Sequence, residues 1–124
     1  MKILVVDDER DVKALFEQRF RKEIRDGEMI FAFAYSAEEA LGYLNTLNHE
    51  AVLILSDINM PGMSGLELLK QIKTHFEKPP PIVMMITAFG DDENYQQAMK
   101  LGADDFITKP LNFTHLREKL KSVK

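Results

Sequence analysis

The chain has 124 residues, of which 45% are hydrophobic and 29% charged, and this favours one soluble globular domain over residues 1–124. Its formal net charge is −4 and no basic face is obvious, so direct nucleic-acid binding is not expected. Cysteine is absent, which excludes disulfides and thiolate metal sites. There is no recognisable signal peptide and no apolar stretch of the roughly 18 residues that a membrane helix needs, so we expect a cytoplasmic protein without membrane contact.

Five short apolar runs alternate with five amphipathic segments along the chain. The runs are too short for helices and suit strands that are covered on both faces, as in a parallel sheet. The predicted strands cover residues 3–6, 29–34, 52–56, 82–86 and 105–108. The predicted helices carry apolar stripes at Val12, Leu15, Phe16 and Phe20; at Ala37, Ala40, Leu41, Leu44 and Leu47; at Leu66, Leu69, Ile72 and Phe76; and at Phe113, Leu116, Leu120 and Val123, and a further helix opens at residues 90–93. This alternation predicts an α/β fold with a five-stranded parallel sheet and five helices on both faces.

Local signals mark the ends of several predicted helices. Ser36 and Glu39 have the spacing of a capping box. Gly102 suits a left-handed helix end, and Asn112 can cap the last helix. The last helix also carries Arg117, Lys119, Lys121 and Lys124. Cations near a helix C-terminus complement the backbone dipole, so this basic run requires no functional explanation.

Reactive side chains follow four of the apolar runs. Asp7 and Asp8 follow the first run, Asp57 the third, Thr87 the fourth and Lys109 the fifth. The carboxyl ends of parallel strands meet at one edge of a sheet, where ligands of such folds bind. Three carboxylates, a hydroxyl and an ammonium are therefore expected to lie together, and the crowded acids require a cation.

The chemistry of this set suits a divalent metal and a phosphoryl group. Mg²⁺ takes oxygen ligands, which Asp8 and Asp57 can supply directly, Asp7 through water and Asn59 through its backbone carbonyl. Asp57 is the candidate nucleophile, because a carboxylate can attack phosphorus to form an acyl phosphate. The Lys109 ammonium and the Thr87 hydroxyl are then placed to bind phosphoryl oxygens, and the small Ala88 leaves room for the group.

Each of these residues has an ordinary structural explanation when it is taken alone. An Asp at a strand end is commonly a helix cap, Thr87 a strand-end residue and Lys109 a solvated lysine. What favours a functional site is that each follows a different strand at the same predicted edge.

Four motifs in the chain carry a resemblance to a known family. They are Leu4-Val5-Val6-Asp7-Asp8-Glu9, Asp57-Ile58-Asn59-Met60-Pro61-Gly62-Met63-Ser64-Gly65, Ile86-Thr87-Ala88-Phe89 and Gly102-Ala103-Asp104-Asp105-Phe106-Ile107-Thr108-Lys109-Pro110. Together they closely resemble the receiver domain of two-component response regulators over essentially the whole length. The resemblance implies the flavodoxin-like receiver fold with strand order 2-1-3-4-5.

The resemblance also implies a role for each site residue. Asp57 would be the phosphoacceptor, Asp7 and Asp8 the acidic pair that places Mg²⁺ (for which Mn²⁺ can substitute), and Thr87 and Lys109 the groups that read the phosphoryl group. Phe106 would be the switch aromatic, and the Lys109–Pro110 peptide bond would be cis. The surface expected to change covers residues 91–124, where Ala98 and Phe106 could meet a partner.

The implied partners are those of a signalling switch. They are a sensor histidine kinase or histidine phosphotransfer protein, a downstream effector domain or protein, and a second copy of the chain in a phosphorylation-dependent homodimer. In this interpretation the chain is not an enzyme, since it catalyses only its own phosphoryl transfer and dephosphorylation.

Three other functions remain open from the residues. A phosphatase with an aspartyl-phosphate intermediate should have Asp-x-Asp after the first strand, where this chain has Asp7-Asp8-Glu9. A flavodoxin-like cofactor carrier should have a Ser, Thr and Gly-rich loop there, and these acids would repel its phosphate. A degenerate receiver that only binds partners would not need the complete set of acids, hydroxyl and lysine.

Overall fold

The computed structural model describes residues 1–46, 53–75, 81–88 and 90–123. Its centre is one five-stranded sheet in which every neighbouring pair of strands is parallel. The strand order β2-β1-β3-β4-β5 is the one implied by the resemblance. The strands are β1 (Lys2–Val6), β2 (Ile30–Ala34), β3 (Leu53–Asp57), β4 (Ile82–Ala88) and β5 (Asp105–Lys109).

The described residues form six helices where five were predicted. They are α1 (Asp11–Arg19), α2 (Arg21–Arg25), α3 (Ala37–Thr46), α4 (Gly65–His75), α5 (Asp92–Lys100) and α6 (Phe113–Ser122). The additional helix arises because the first predicted helix is interrupted at Phe20, whose φ of −111° and ψ of 24° lie outside the helical region. The Phe20 ring is fully buried and stacks 5.8 Å from the ring of Phe16, so packing of this side chain accompanies the break. None of the described helices is long and apolar enough to span a membrane.

The sheet separates two hydrophobic cores, which explains why its strands read as continuous apolar runs. Alternate side chains of one strand point to opposite faces, so Leu4 and Val6 enter one core while Ile3 and Val5 enter the other. The first core is closed by residues of α3, α4 and α5, and the second by residues of α1 and α6 together with Phe20. The predicted arrangement of helices on both faces is therefore confirmed.

Some predicted positions differ from the observed packing. Leu15 was expected on the buried stripe of the first helix, but it is 38% exposed because Val12, Phe16 and Phe20 fill the space against the sheet. Ala98 was expected to reach a partner, but it is fully buried in the first core. Predictions for Leu47, Val52, Phe76 and Lys124 fall outside the described residues.

The predicted helix ends agree with the structure, with one change of partner. The Ser36 hydroxyl accepts a hydrogen bond from the Glu39 backbone N–H at 3.0 Å. The Glu39 carboxylate reaches back one residue further than expected and accepts from the Tyr35 N–H at 3.1 Å. Asn112 caps α6 by accepting from the His115 N–H at 3.1 Å, and Gly102 has a φ of +98° after the end of α5.

Candidate functional site

The predicted reactive residues lie at the carboxyl edge of the sheet. Asp57 is the last residue of β3, Thr87 lies next to the end of β4, and Lys109 is the last residue of β5. The strand register pairs Asp57 with Ile86 and Ala88 with Lys109. Asp7 follows β1, and its N–H donates to the Ala34 carbonyl at 3.1 Å, which continues the ladder to β2. The strands thus end in the expected order and converge on one site.

Three carboxylates meet at this edge. One ligand oxygen from each of Asp7, Asp8 and Asp57 lies within 4.8 Å of the other two. Asp7 and Asp57 are only 5% and 4% exposed, whereas Asp8 faces solvent. Three negative charges at this separation repel, and two of them are shielded from water, so the cluster is electrostatically unfavourable without a cation.

Lys109 provides part of the compensating charge. Its Nζ donates to Asp57 Oδ2 at 3.0 Å, and its side chain stays 40% exposed while that of Asp57 is 6% exposed. Partial burial lowers the pKa of Lys109, but the hydrogen bond and charge of Asp57, with the charges of Asp7 and Glu9, outweigh it. The pKa is therefore raised above its ordinary value of 10.5, and the lysine is an ammonium at neutral pH.

The charged form of Asp7 is unfavourable in this cluster. Burial raises the pKa of its carboxyl above the ordinary value of 3.8, and the nearby charges of Asp57 and Glu9 act in the same direction. The Glu9 N–H, which donates to Asp7 Oδ1 at 2.9 Å, and the Lys109 ammonium oppose the shift without cancelling it. A cation held between the carboxylates would favour the charged form of Asp7.

The donor set fits a hard divalent cation. Mg²⁺ and Mn²⁺ prefer oxygen ligands, and the candidate ligands that this cluster offers among the described residues are three carboxylates. The exposed Asp8 leaves one side of the cluster open to water and to a ligand. Asn59 is exposed in the loop after β3, and the role of its carbonyl as a metal ligand stays a prediction.

The predicted switch residues lie on the neighbouring strands. Thr87 is 3% exposed, so its hydroxyl lies below the surface of the site. Phe106, in β5, is partly buried, and its ring packs edge-on against the Tyr95 ring of α5 with 4.4 Å between centroids. The Lys109–Pro110 peptide bond is cis.

Two residues at or near the site, Gly65 and Tyr95, could not be given a role from the sequence motifs. Gly65 begins α4, and its N–H donates to the Ile58 carbonyl at 2.8 Å. A Cβ at this position would overlap the Asp57 carbonyl oxygen and lie 2.8 Å from Ile58 Cα, so only glycine allows α4 to begin against the end of β3. The sequence did contain a signal for Gly65: glycine has a poor helix propensity, so its presence at the start of an amphipathic helix indicates a special requirement there. Tyr95 had no comparable signal, because its contact with Phe106 joins two separate elements.

Comparison with known proteins identifies the family to which this chain belongs. A family model described as the response regulator receiver domain matches residues 3–121. Response regulator RppA of Synechocystis sp. is 32% identical over 99% of this chain, and the transcriptional regulatory protein CpxR homolog of Haemophilus influenzae is 34% identical over 98%. Those matches cover 50% and 49% of the relatives, so the chain spans about half the length of these curated relatives.

Solved structures show the same fold. The receiver domain of NtrX from Brucella abortus is 33% identical and superposes with a TM-score of 0.79, covering 97% of this chain and 95% of that one. A response regulator receiver protein from Pseudomonas putida is 26% identical with a TM-score of 0.83, covering 98% and 95%. Matched over nearly its whole length, this chain belongs to the receiver domains of two-component response regulators, a family of phosphorylation-dependent signalling switches.

Proposed function

We propose that residues 1–124 form a receiver domain that accepts a phosphoryl group on Asp57. The donor is a sensor histidine kinase, a histidine phosphotransfer protein or a small phosphodonor, and the reaction requires Mg²⁺, for which Mn²⁺ can substitute. The observation that carries the proposal is one constellation: Lys109 Nζ lies 3.0 Å from Asp57 Oδ2, and the Asp7 and Asp8 carboxylates lie within 4.8 Å of Asp57.

The proposed reaction uses each of these groups. A carboxylate oxygen of Asp57 attacks the phosphorus atom and forms a P–O bond, while the bond from phosphorus to the donor breaks and its electron pair stays on the donor. A bound Mg²⁺ would neutralise charge on the phosphoryl oxygens. Asp7 and Asp8, with Asp57 and the Asn59 carbonyl, would hold the metal. Lys109 moves its ammonium from the Asp57 carboxylate to a phosphoryl oxygen. In dephosphorylation a water oxygen attacks phosphorus, the P–O bond to Asp57 breaks with its electron pair on the carboxylate, and inorganic phosphate leaves with the protons of the water.

The same groups connect the phosphoryl group to a distant surface. The Thr87 hydroxyl donates to a phosphoryl oxygen, and Phe106 turns inward when the Thr87 segment moves. Because Phe106 packs against Tyr95, this rotation changes how β5 meets α5. Phosphorylation therefore favours one arrangement of the surface formed by α5, β5 and α6, through its differential interaction energy with the two arrangements.

The changed surface is proposed to control the output. Its occupant is a downstream effector domain or protein, or a second copy of the chain in a phosphorylation-dependent homodimer. Receiver domains are signalling proteins rather than classical enzymes, so the only catalysis proposed is self-phosphorylation from a donor and dephosphorylation. The proposed setting is the cytoplasm.

Labelling and mapping test this function. The protein is incubated with acetyl phosphate and Mg²⁺, the acyl phosphate is reduced with borohydride, and the modified residue is identified by peptide mass spectrometry. We expect modification at Asp57 that disappears in Asp57→Asn and without divalent cation, and that persists in the control Asp26→Asn, whose exposed carboxylate pairs with Arg25. Modification at another residue contradicts the assignment of Asp57. Absence of any modification by several phosphodonors would instead support a receiver that acts only as a binding module.

A further inference from the structure

A second charged site lies far from the acidic cluster. An open cleft of about 550 Å³ is formed by the end of α1, by α2 and by Arg117 and Lys121 of α6. Glu28 also lines it, two residues before β2 begins, so the cleft lies towards the amino edge of the sheet, whereas Asp57 lies at the carboxyl edge. We call it the basic cleft and define it by its six cationic side chains: Arg19, Arg21, Lys22, Arg25, Arg117 and Lys121.

The base of the basic cleft is held in place by a buried carboxylate. Glu23, whose side chain is 6% exposed, accepts from Arg117 Nε at 2.8 Å and lies 3.7 Å from Lys121 Nζ. Arg117 also donates to the Arg19 carbonyl at 2.6 Å and lies over the Phe20 ring at 5.0 Å. The Arg117 guanidinium is thus fixed by three groups before any ligand arrives, which reduces the entropy lost on binding.

The rim of the basic cleft has positive charge that the protein does not neutralise. Against six cations the lining contains two carboxylates, Glu23 and Glu28, which leaves an excess of four positive charges. Within the described part of the chain, no acidic side chain pairs with Arg21 or Lys22. Arg25 has only an exposed contact with Asp26 at 3.4 Å, which is worth little in water.

We propose that the basic cleft binds an acidic segment of a partner protein. Arginine guanidinium groups bind carboxylates through two parallel hydrogen bonds, and four of the six cations are arginines. Arg117 is already bound to Glu23, which leaves Arg19, Arg21 and Arg25 to bind a ligand. The cleft is open and runs across three helices, which suits an extended peptide better than a small ligand that needs enclosure. A short acidic segment can stay within the cleft, whereas a long polyanion such as nucleic acid would extend beyond it and meet the rest of the chain, which is negative: the net charge is −4 although the cleft contributes +4.

The test measures binding of a fluorescein-labelled oligoglutamate peptide by fluorescence polarisation. The cleft variant is Arg21→Glu with Arg25→Glu, because both residues are exposed on α2 and neither contacts Glu23. The control variant is Lys70→Glu with Lys100→Glu, which makes the same change of net charge at exposed positions on α4 and α5. Circular dichroism verifies that both variants are folded, and an oligolysine peptide, a single-stranded oligonucleotide and tripolyphosphate are measured beside the oligoglutamate.

We expect saturable, salt-sensitive binding of oligoglutamate that the cleft variant weakens by roughly tenfold or more, since two attractive contacts become repulsive. The control variant should bind within about twofold of the original chain, and oligolysine should not bind. Equal weakening in both variants, or no binding at low ionic strength, would overturn the proposal. Tighter cleft-dependent binding of the oligonucleotide or of tripolyphosphate would overturn it in favour of a phosphate ligand.

Discussion

Replacing Asp7 with Asn should stabilise the metal-free protein while removing its response to Mg²⁺. Asp7 is buried beside Asp57, and its charge is unfavourable there, as its raised pKa indicates. The amide oxygen of Asn can still accept the hydrogen bond from the Glu9 N–H, which Asp7 Oδ1 accepts at 2.9 Å. The substitution therefore removes a charge from the acidic cluster and leaves its local hydrogen bond in place.

The magnitude follows from the spacing of the carboxylates. Two unit charges at the 4.8 Å limit of the cluster repel by about 3.5 kcal/mol at an effective dielectric constant of about 20. The substitution also removes the attraction between Asp7 and Lys109, which offsets part of this gain. We expect a net rise of about 1–2 kcal/mol in the free energy of unfolding at neutral pH.

The pH dependence of stability gives a second check that the substitution stabilises rather than destabilises the protein. The folded-state pKa of Asp7 is raised above its ordinary value of 3.8, so the folded protein binds this proton more tightly than the unfolded chain does. The difference in the free energy of unfolding between the Asn variant and the original chain should therefore be small at pH values below the ordinary pKa of 3.8. It should grow as the pH rises through the raised folded-state pKa, because that is where the folded protein must accept the unfavourable charge.

Urea unfolding followed by far-UV circular dichroism measures both effects, since the chain has no tryptophan to report by fluorescence. In EDTA the Asn variant should be the more stable protein. With Mg²⁺ at a hundred times its Kd the original chain should gain about 2.7 kcal/mol, and the variant much less. The control Asp26→Asn should keep the full response to Mg²⁺. A variant that is less stable in EDTA, or that keeps the full Mg²⁺ response, would refute the electrostatic account of Asp7.

Three further substitutions test separate parts of the account. Lys109→Ala should still bind Mg²⁺, but its phosphorylation should no longer change its affinity for a partner. The free energy of unfolding should fall by about 1–2 kcal/mol because Asp57 loses its cation. If phosphorylation still changes partner binding as in the original chain, Lys109 has no part in the mechanism. Gly65→Ala should destabilise by about 2 kcal/mol or more in urea unfolding, whereas Gly42→Ala, with open space on α3, should stabilise by about 0.5–1 kcal/mol; equal effects would show that the close approach at Gly65 is tolerated. Phe106→Ala should be phosphorylated at the normal rate in the mass-spectrometric assay, yet its amide NMR signals from α5 and α6 should change less on phosphorylation than those of the original chain. Changes of normal size would exclude Phe106 as the residue that connects the phosphoryl group to this surface.

The sheet and the site were accessible from sequence because both depend on local patterns. The three central strands β1, β3 and β4 are covered on both faces, so their buried residues form largely apolar runs, and the two edge strands are partly exposed. Each reactive residue lies at or just beyond the end of a strand, except Thr87, which is the last residue but one of β4. The strand order was not accessible in this way. Alternation of strands and helices predicts parallel pairing but leaves the order open, and the order 2-1-3-4-5 came from the family resemblance.

Features that depend on distant contacts were missed or were wrong. Helical spacing alone assigned Leu15 to the buried face, although the core is filled by Val12, Phe16 and Phe20 and Leu15 is 38% exposed. The basic run in the last helix was attributed to the helix dipole, yet Arg117 and Lys121 reach Glu23 across the fold. Residues more than ninety positions apart form this pair, so no local pattern could reveal the basic cleft.

Amide NMR spectra of the Mg²⁺-loaded protein, recorded before and after phosphorylation of Asp57, test the central claim most directly. If the phosphoryl group controls a surface, large changes should appear at Thr87 and Lys109 and extend through α5, β5 and α6, including Tyr95 and Phe106. Helices α2 and α3 should change little. Changes confined to the carboxyl edge around Asp57, with α5, β5 and α6 unaltered, would contradict the proposal that this site acts as a switch.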